Sequence, residues 1–225
     1  MTPSGGVVRL GGTGVAARWT SPADGDLACA VPLESRRARQ RAVLDRPWSV
    51  ARQVHGAAVA VIDGPGQAGG EADALVSSRD DVALAVLGAD CATVALASEQ
   101  GVLAAVHSGW RGLVAGVIEA AVQAMRSLGA AGVVGALGPC LHPCCGELSP
   151  DDLETVAGAV GPEVRAVDSR GRPALDLRAG ARVLLQRSGV CLVEGGEEVC
   201  TRCSGRYYSH RGGSSSRQAV VVWRE

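Results

Sequence analysis

Residues 84–112 read LAVLGADCATVALASEQGVLAAVHSGWRG. Two apolar runs in and beside this stretch each end in a polar cluster. The first, Val82 to Leu87, breaks at Gly88 and leads into Gly88-Ala89-Asp90-Cys91. The second, Val102 to Val106, leads into His107-Ser108-Gly109-Trp110-Arg111-Gly112. Continuous apolar runs of this length, bounded by turn residues, suit strands covered on both faces. The stretch therefore reads as two buried strands that bring a thiol and an imidazole to neighbouring ends. Such a convergence can hold a metal or activate a nucleophile.

Working outward, Val7–Leu10 and Val15–Trp19 read as short strands, and Glu34 to Leu44 as a polar helix. Trp48 to Val54 and Val59 to Ile62 are expected strands. Gly64 to Gly70 is expected as a loop, and Glu71 to Val76 leads into another strand. After Gly112, Leu113, Val114, Val117, Ile118, Ala121, Val122, Met125 and Leu128 recur at helical spacing, with Gly129 as the stop. Val133–Leu137 reads as a strand. Ser149-Pro150-Asp151-Asp152 opens a helix, with Ser149 as N-cap and Pro150 in the first turn. Asp176 caps a further helix to Gln186, and Ala219–Trp223 closes the chain as a strand. Strands outnumber helices, and no repeat or long linker divides the chain. The expectation is a single α/β (α+β) domain over residues 1–225, with layered mixed sheets and outer helices.

The 225 residues are long enough to bury a sizeable core. With 47% apolar residues and a formal net charge of −1, neither disorder nor a nucleic-acid-coating surface is expected. All 22 basic residues are arginine, so a single arginine is a weak functional signal. No apolar run is long enough to span a membrane and the N-terminus has no signal-peptide pattern, so the expected location is the cytoplasm. In that compartment the eight cysteines are expected as ligands, reactive thiols or small core residues rather than disulfides.

Four histidines are present: His55, His107, His142 and His210. His55, Cys91 and His107 each follow a strand-like run and make one candidate site. Two imidazoles and a thiolate suit zinc with one position left open. The same residues also suit a Cys91 nucleophile with His107 as its base, oriented by Asp90 or Asp73. They would also serve simply as a buried thiol beside two hydrogen-bonded histidines. Cys140, Cys144 and Cys145, with the Cys200-x-x-Cys203 pair, allow a closed structural zinc site, but the expectation is that Cys140, Cys144 and Cys145 pack in the core or lie behind ligands. Gly109, Gly112 and Gly116 at a helix start, with Arg111 beside them, offer an anion site. The alternative is that the glycines permit close packing and Arg111 pairs with a carboxylate.

Taken together and in this order, Gln53-Val54-His55-Gly56, Ala72-Asp73-Ala74-Leu75-Val76, Gly88-Ala89-Asp90-Cys91, Ala105 to Gly112, Gly138-Pro139-Cys140 with Pro143-Cys144-Cys145, Cys200-Thr201, Tyr208-Ser209-His210-Arg211 and Arg217-Gln218-Ala219 resemble the YfiH/laccase-domain family. That family is also called the polyphenol oxidase or peptidoglycan-editing-factor family. The resemblance implies the CNF1/YfiH-like fold and a Zn2+ held by His55, Cys91 and His107. Cys91 and Asp90 are the expected catalytic residues; Asp90 and Asp73 are the candidate general acids for the leaving base, with orientation of a ligand histidine as the alternative role of either. It implies phosphorolysis of adenosine, inosine, guanosine and methylthioadenosine, and deamination of adenosine. The partners are then purine nucleosides and phosphate, with no nucleic acid or membrane. It further implies an arginine near the substrate, best matched by Arg36 and next by Arg37; Arg111 is a second anion-binding candidate. The chain departs from the family in Gly25–Ser35, in Cys145-Gly146-Glu147-Leu148 and in Ser209-His210-Arg211-Gly212-Gly213, all expected around the pocket. Four histidines cannot build a multicopper cluster, though a single adventitious copper could replace zinc. Two readings from other classes remain open: a non-catalytic binding protein, and a Cys91-dependent hydrolase acting on peptidoglycan precursors.

Overall fold

The computed structural model describes residues 6–193 and 198–225. Among these, the strands in chain order are β1 (Val7–Arg9), β2 (Val15–Trp19), β3 (Trp48–Ser49), β4 (Val59–Val61), β5 (Ala74–Ser77), β6 (Ala83–Gly88), β7 (Ala92–Ser98), β8 (Leu103–Ser108), β9 (Val133–Leu137), β10 (Arg165–Val167), β11 (Pro173–Leu175), β12 (Val190–Leu192) and β13 (Gln218–Arg224). The helices are α1 (Leu33–Val43), α2 (Trp110–Ala115), α3 (Val117–Ser127), α4 (Pro150–Val160), α5 (Leu177–Arg187) and α6 (Thr201–Ser204).

A five-stranded sheet runs β1-β2-β13-β6-β3 and a six-stranded sheet runs β12-β9-β7-β8-β5-β4, both of mixed direction. Strand side chains alternate between faces, and here both faces are apolar. In β7, Val94 and Leu96 pack toward the helices while Ala95 and Ala97 face the other sheet. In β13, Val220 and Val222 face the six-stranded sheet while Val221 and Trp223 join an outer cluster with Leu27 and Trp48. Helices α3, α4 and α5 cover the far face of the six-stranded sheet through Val117, Ile118, Met125, Leu153, Val156 and Leu185. The result is the expected mixed α/β layering, with a sheet–sheet core and a sheet–helix core.

Three expectations are corrected. The opening stretch holds three strands: β7 lies between the two expected, because ATVALAS is buried throughout and its alternation is hidden by small apolar residues on both faces. The helix expected after Gly112 begins at Trp110 and is broken at Gly116, which adopts a left-handed conformation (φ 83°) that ends α2 before α3 starts. The strand expected over Trp48–Val54 is two residues long, followed only by an isolated pairing of Arg52 with Glu71. Both capping assignments hold: the Ser149 hydroxyl accepts from the Asp152 amide, and the Asp176 carboxylate accepts from the Ala179 amide.

Sheet register positions the site. In the antiparallel pair β7–β8, Ala92 faces Ser108 and Thr93 faces His107, so Cys91 and His107 fall at the same end. Strand β5 runs antiparallel to β8 with Ala74 opposite Val106, and the ladder extends one step as the His107 amide donates to the Asp73 carbonyl at 2.8 Å. Parallel β4 starts opposite Ala74, which brings the preceding His55-Gly56 turn to that end as well. The Gly88–Cys91 turn crosses from one sheet to the other, since β6 and β7 belong to different sheets.

Candidate functional site

At this sheet end Asp73 is fully buried and its carboxylate gathers four donors. Oδ1 accepts from the His55 amide at 3.0 Å and from His107 Nδ1 at 2.9 Å; Oδ2 accepts from the Val54 amide at 3.1 Å and the Gly56 amide at 2.8 Å. Burial opposes the charge, but His107 and the Gly56 and Val54 amides outweigh it and hold the carboxyl below its ordinary value. With Nδ1 committed to Asp73, Nε2 of His107 is the nitrogen left to bind a ligand.

His55, Cys91 and His107 then converge: one ligand atom from each lies within 4.8 Å of the others. Cys91 Sγ is 3.8 Å from His55 Nε2, and the two imidazoles meet edge-on with centroids 4.9 Å apart. Burial raises the Cys91 thiol, yet the His107 and His55 rings bring it down to about 6. Burial lowers His107, yet Asp73 and Cys91 raise it to about 9. Each of the two groups thus favours the charged form of the other.

The backbone is shaped for this convergence. His55 (φ 61°) and Asp90 (φ 91°) are the two described non-glycine residues with positive φ, a conformation costing roughly 1–3 kcal/mol each that the surrounding bonds must offset. At Gly109, an added Cβ would fall 2.9 Å from Cys91 Sγ and 3.0 Å from His55 Cδ2, so only glycine leaves the three-donor cradle open. A borderline-soft cation such as Zn2+ suits two imidazoles and one thiolate, with a fourth position free.

Two cavities flank the donors. One, about 500 Å3, is lined by Arg52, Gln53, His55, Cys91, His107 and Arg217 among others, within the usual range for small-molecule sites. The other has Asp90, Cys91, Trp110, Leu148 and Arg211 in its wall. Cys91 and His210 line both.

The remaining expected residues are placed differently. Asp90 has both carboxylate oxygens occupied: Oδ1 accepts the Thr201 hydroxyl and Oδ2 the Arg211 amide, each at 2.6 Å. It fastens two segments to the Cys91 turn rather than offering a free acid. Arg36 lies on α1 and is not among the residues lining either cavity; neither is Arg111, whose guanidinium sits 4.3 Å from the ring centre of its neighbour Trp110. Arg52, Arg211 and Arg217 are the arginines at the cavities. His210 is the residue that sequence reasoning left without a role, although it stands inside the Tyr208-Ser209-His210-Arg211 motif. Cys140 is buried in the sheet–helix core, where burial pushes its thiol up to about 12. Cys144 and Cys145 depart from the expected packing role: their thiols meet those of Cys200 and Cys203 near the surface.

Residues 17–225 match the profile of a family described as multi-copper polyphenol oxidoreductase laccase. A Streptomyces coelicolor protein named purine nucleoside phosphorylase is 44% identical over 177 residues, covering 76% of this chain and 72% of its own length. A Streptomyces griseus protein of the same name is 41% identical over 207 residues, covering 88% and 83%. A Neisseria meningitidis protein of known structure superposes with a TM-score of 0.83 at 25% identity, covering 99% of each chain. YlmD from Geobacillus stearothermophilus superposes at 0.84 with 23% identity, covering 100% of this chain and 98% of its own.

Proposed function

The chain belongs to the family described as multi-copper polyphenol oxidoreductase laccase, and from that membership we propose that it is a purine nucleoside phosphorylase using one Zn2+ at His55, Cys91 and His107. The carrying observation is the three-donor cradle, oriented by Asp73 and flanked by two cavities that share Cys91 and His210. The relatives named purine nucleoside phosphorylase direct the substrate class toward purine nucleosides and phosphate. Adenosine, inosine, guanosine and methylthioadenosine are the proposed nucleosides, with adenosine deamination as a second activity. With four histidines in the chain, an imidazole-rich multicopper cluster has too few ligands.

His55, Cys91 and His107 would hold the Zn2+, which would supply Lewis-acid chemistry toward a substrate oxygen. Asp73 keeps the proton on His107 Nδ1, which fixes the tautomer needed for ligation. Arg217 and Arg52 line the larger cavity and are the proposed phosphate holders, in place of Arg36 and Arg111, with Arg52 also paired to Glu71. His210, reaching both cavities, is the proposed group to pass a proton to the departing base. Asp90 positions Thr201 and the Arg211 amide. The cytoplasm is the proposed compartment, where thiols such as Cys91 stay reduced.

The experiment is incubation of purified protein with phosphate and a purine nucleoside panel, with products separated by mass. Free base plus sugar phosphate is expected, and inosine from adenosine without phosphate reports the deaminase activity. No product from any nucleoside overturns the reading. The thiol at about 6 beside His55 favours one other reading, Cys91 as nucleophile of a hydrolase. Cys91→Ala separates them: as a ligand its loss removes the zinc held by His55 and His107, whereas as a nucleophile its loss leaves that zinc in place.

A further inference from the structure

Away from the His55 cradle, four thiols meet with no other chemistry assigned to them. Cys144 and Cys145 belong to the single helical turn Pro143–Cys145; Cys200 caps α6 and Cys203 lies within it. All four sulfurs lie within 4.8 Å of one another, and none is in a disulfide. Cys203 Sγ is 3.3 Å from Cys144 Sγ and 2.9 Å from Cys145 Sγ. A tetrahedron with Zn–S bonds of about 2.3 Å has S···S edges of roughly 3.8 Å. Opening the two short contacts by under about 1 Å through side-chain rotation would reach that geometry. Thiols are weak donors and weak acceptors and gain little from meeting in a group of four. Four thiolates around one soft cation is a stable arrangement.

The backbone supports the same conclusion. Cys200-Thr-Arg-Cys203 is a C-x-x-C turn entering a helix, with Cys200 at the N-cap position and Cys203 three residues on, so both sulfurs come to one side of the turn. We propose that Cys144, Cys145, Cys200 and Cys203 form a second, closed Zn2+ site with a structural role.

Its position says what it braces. Gly146, Glu147 and Leu148, directly after the first two ligands, line the cavity beside Cys91. Thr201, directly after the third, gives its hydroxyl to Asp90 next to Cys91. An ion shared by the two segments ties this wall together from outside while taking no part in the cradle.

The test counts metal. Protein expressed without added copper is purified under reducing conditions, then assayed for zinc and for free thiols. Wild type is expected to carry two equivalents. Cys203→Ser and Cys144→Ser should each carry one, and His107→Ala should retain one. Cobalt substitution of His107→Ala should give the intense visible bands of a tetrahedral tetrathiolate. Should the serine variants fail to fold, zinc X-ray absorption on wild type is the second readout: two sites average five sulfurs to two nitrogens, whereas the cradle alone is richer in nitrogen. Equal zinc in wild type and Cys203→Ser overturns the proposal. A nitrogen-dominated zinc shell, or a Cys145–Cys203 disulfide protecting two thiols from alkylation, overturns it equally. These outcomes are independent of the phosphorylase assay, because the cradle and the four-thiol cluster share no ligand.

Discussion

Asp73 is the residue on which the cradle turns. It is buried, it binds three amides of the His55 turn, and it holds His107 Nδ1. Asp73→Asn keeps the shape but removes the charge and presents an amide NH2 where donors converge. Loss of such an outer partner weakens metal binding by about 10–100-fold, and chelator competition on the folded variant should show that drop. Gly109→Ala tests the cradle from the other side. Its Cβ would stand against Cys91 Sγ and His55 Cδ2, so the cradle's equivalent of zinc should be lost while the far-ultraviolet circular dichroism of the folded chain is retained. His210 contributes to neither the cradle nor the four-thiol cluster. His210→Asn should therefore keep full zinc and lose roughly 10²–10⁴-fold in kcat, the usual range for general acid–base help. Unchanged kcat would remove it from the proton-transfer role.

At the scale of elements, caps and ladder ends place the chemistry. Asp90 and His55 hold strained turns in front of β7 and β4, and those turns carry or adjoin the donors. The hairpin β10–β11 shows the same reliance on one carboxylate. The Asp168 side chain accepts from the Arg172 and Arg170 amides and from the Arg172 guanidinium, which together hold its carboxyl at about 2, with burial opposing. A carboxyl with a lowered folded-state pKa contributes stability that is complete above its unfolded value and fades as pH falls through the folded one. Asp168 should therefore contribute fully above about pH 4 and lose its contribution as pH falls toward about 2. Urea unfolding of wild type and Asp168→Asn should show a stability gap at neutral pH that narrows across that window.

At the scale of the molecule, two stacked cores divide the work. The sheet–sheet core joins β13 and β6 to β7 and β8 through residues such as Leu84, Leu96's neighbours Ala95 and Ala97, and Leu103. Leu84 is fully buried there, and Leu84→Ala should cost about 2–5 kcal/mol in urea unfolding. The sheets are also pinned at the site end, where Trp19 Nε1 donates to Thr93 Oγ1 at 2.9 Å and a Cβ at Gly138 would fall inside the Trp19 indole. Among the described residues no helix is long and apolar enough to cross a membrane.

The amino-acid sequence by itself determined the α/β class, both helix caps, most strand positions and the grouping of His55, Cys91 and His107 as one candidate site. These are local matters: an N-cap serine followed by proline, an apolar run broken by glycine, a histidine or cysteine just past a strand end. The donors were legible because their motifs, taken in order, resemble one family; their spacing alone left the metal, nucleophile and core readings open. Tertiary structure decided what depends on partners distant in sequence. It inserted β7, whose alternation cannot be seen when both faces are buried. It gave Asp73 rather than Asp90 the task of holding His107, a choice made by strand register. It left Arg36 and Arg111 out of both cavity walls and brought Arg217 and His210 into them. It also joined Cys144 and Cys145 to Cys200 and Cys203, because the distance that matters for a thiol cluster is through space, and only the packed chain closes it.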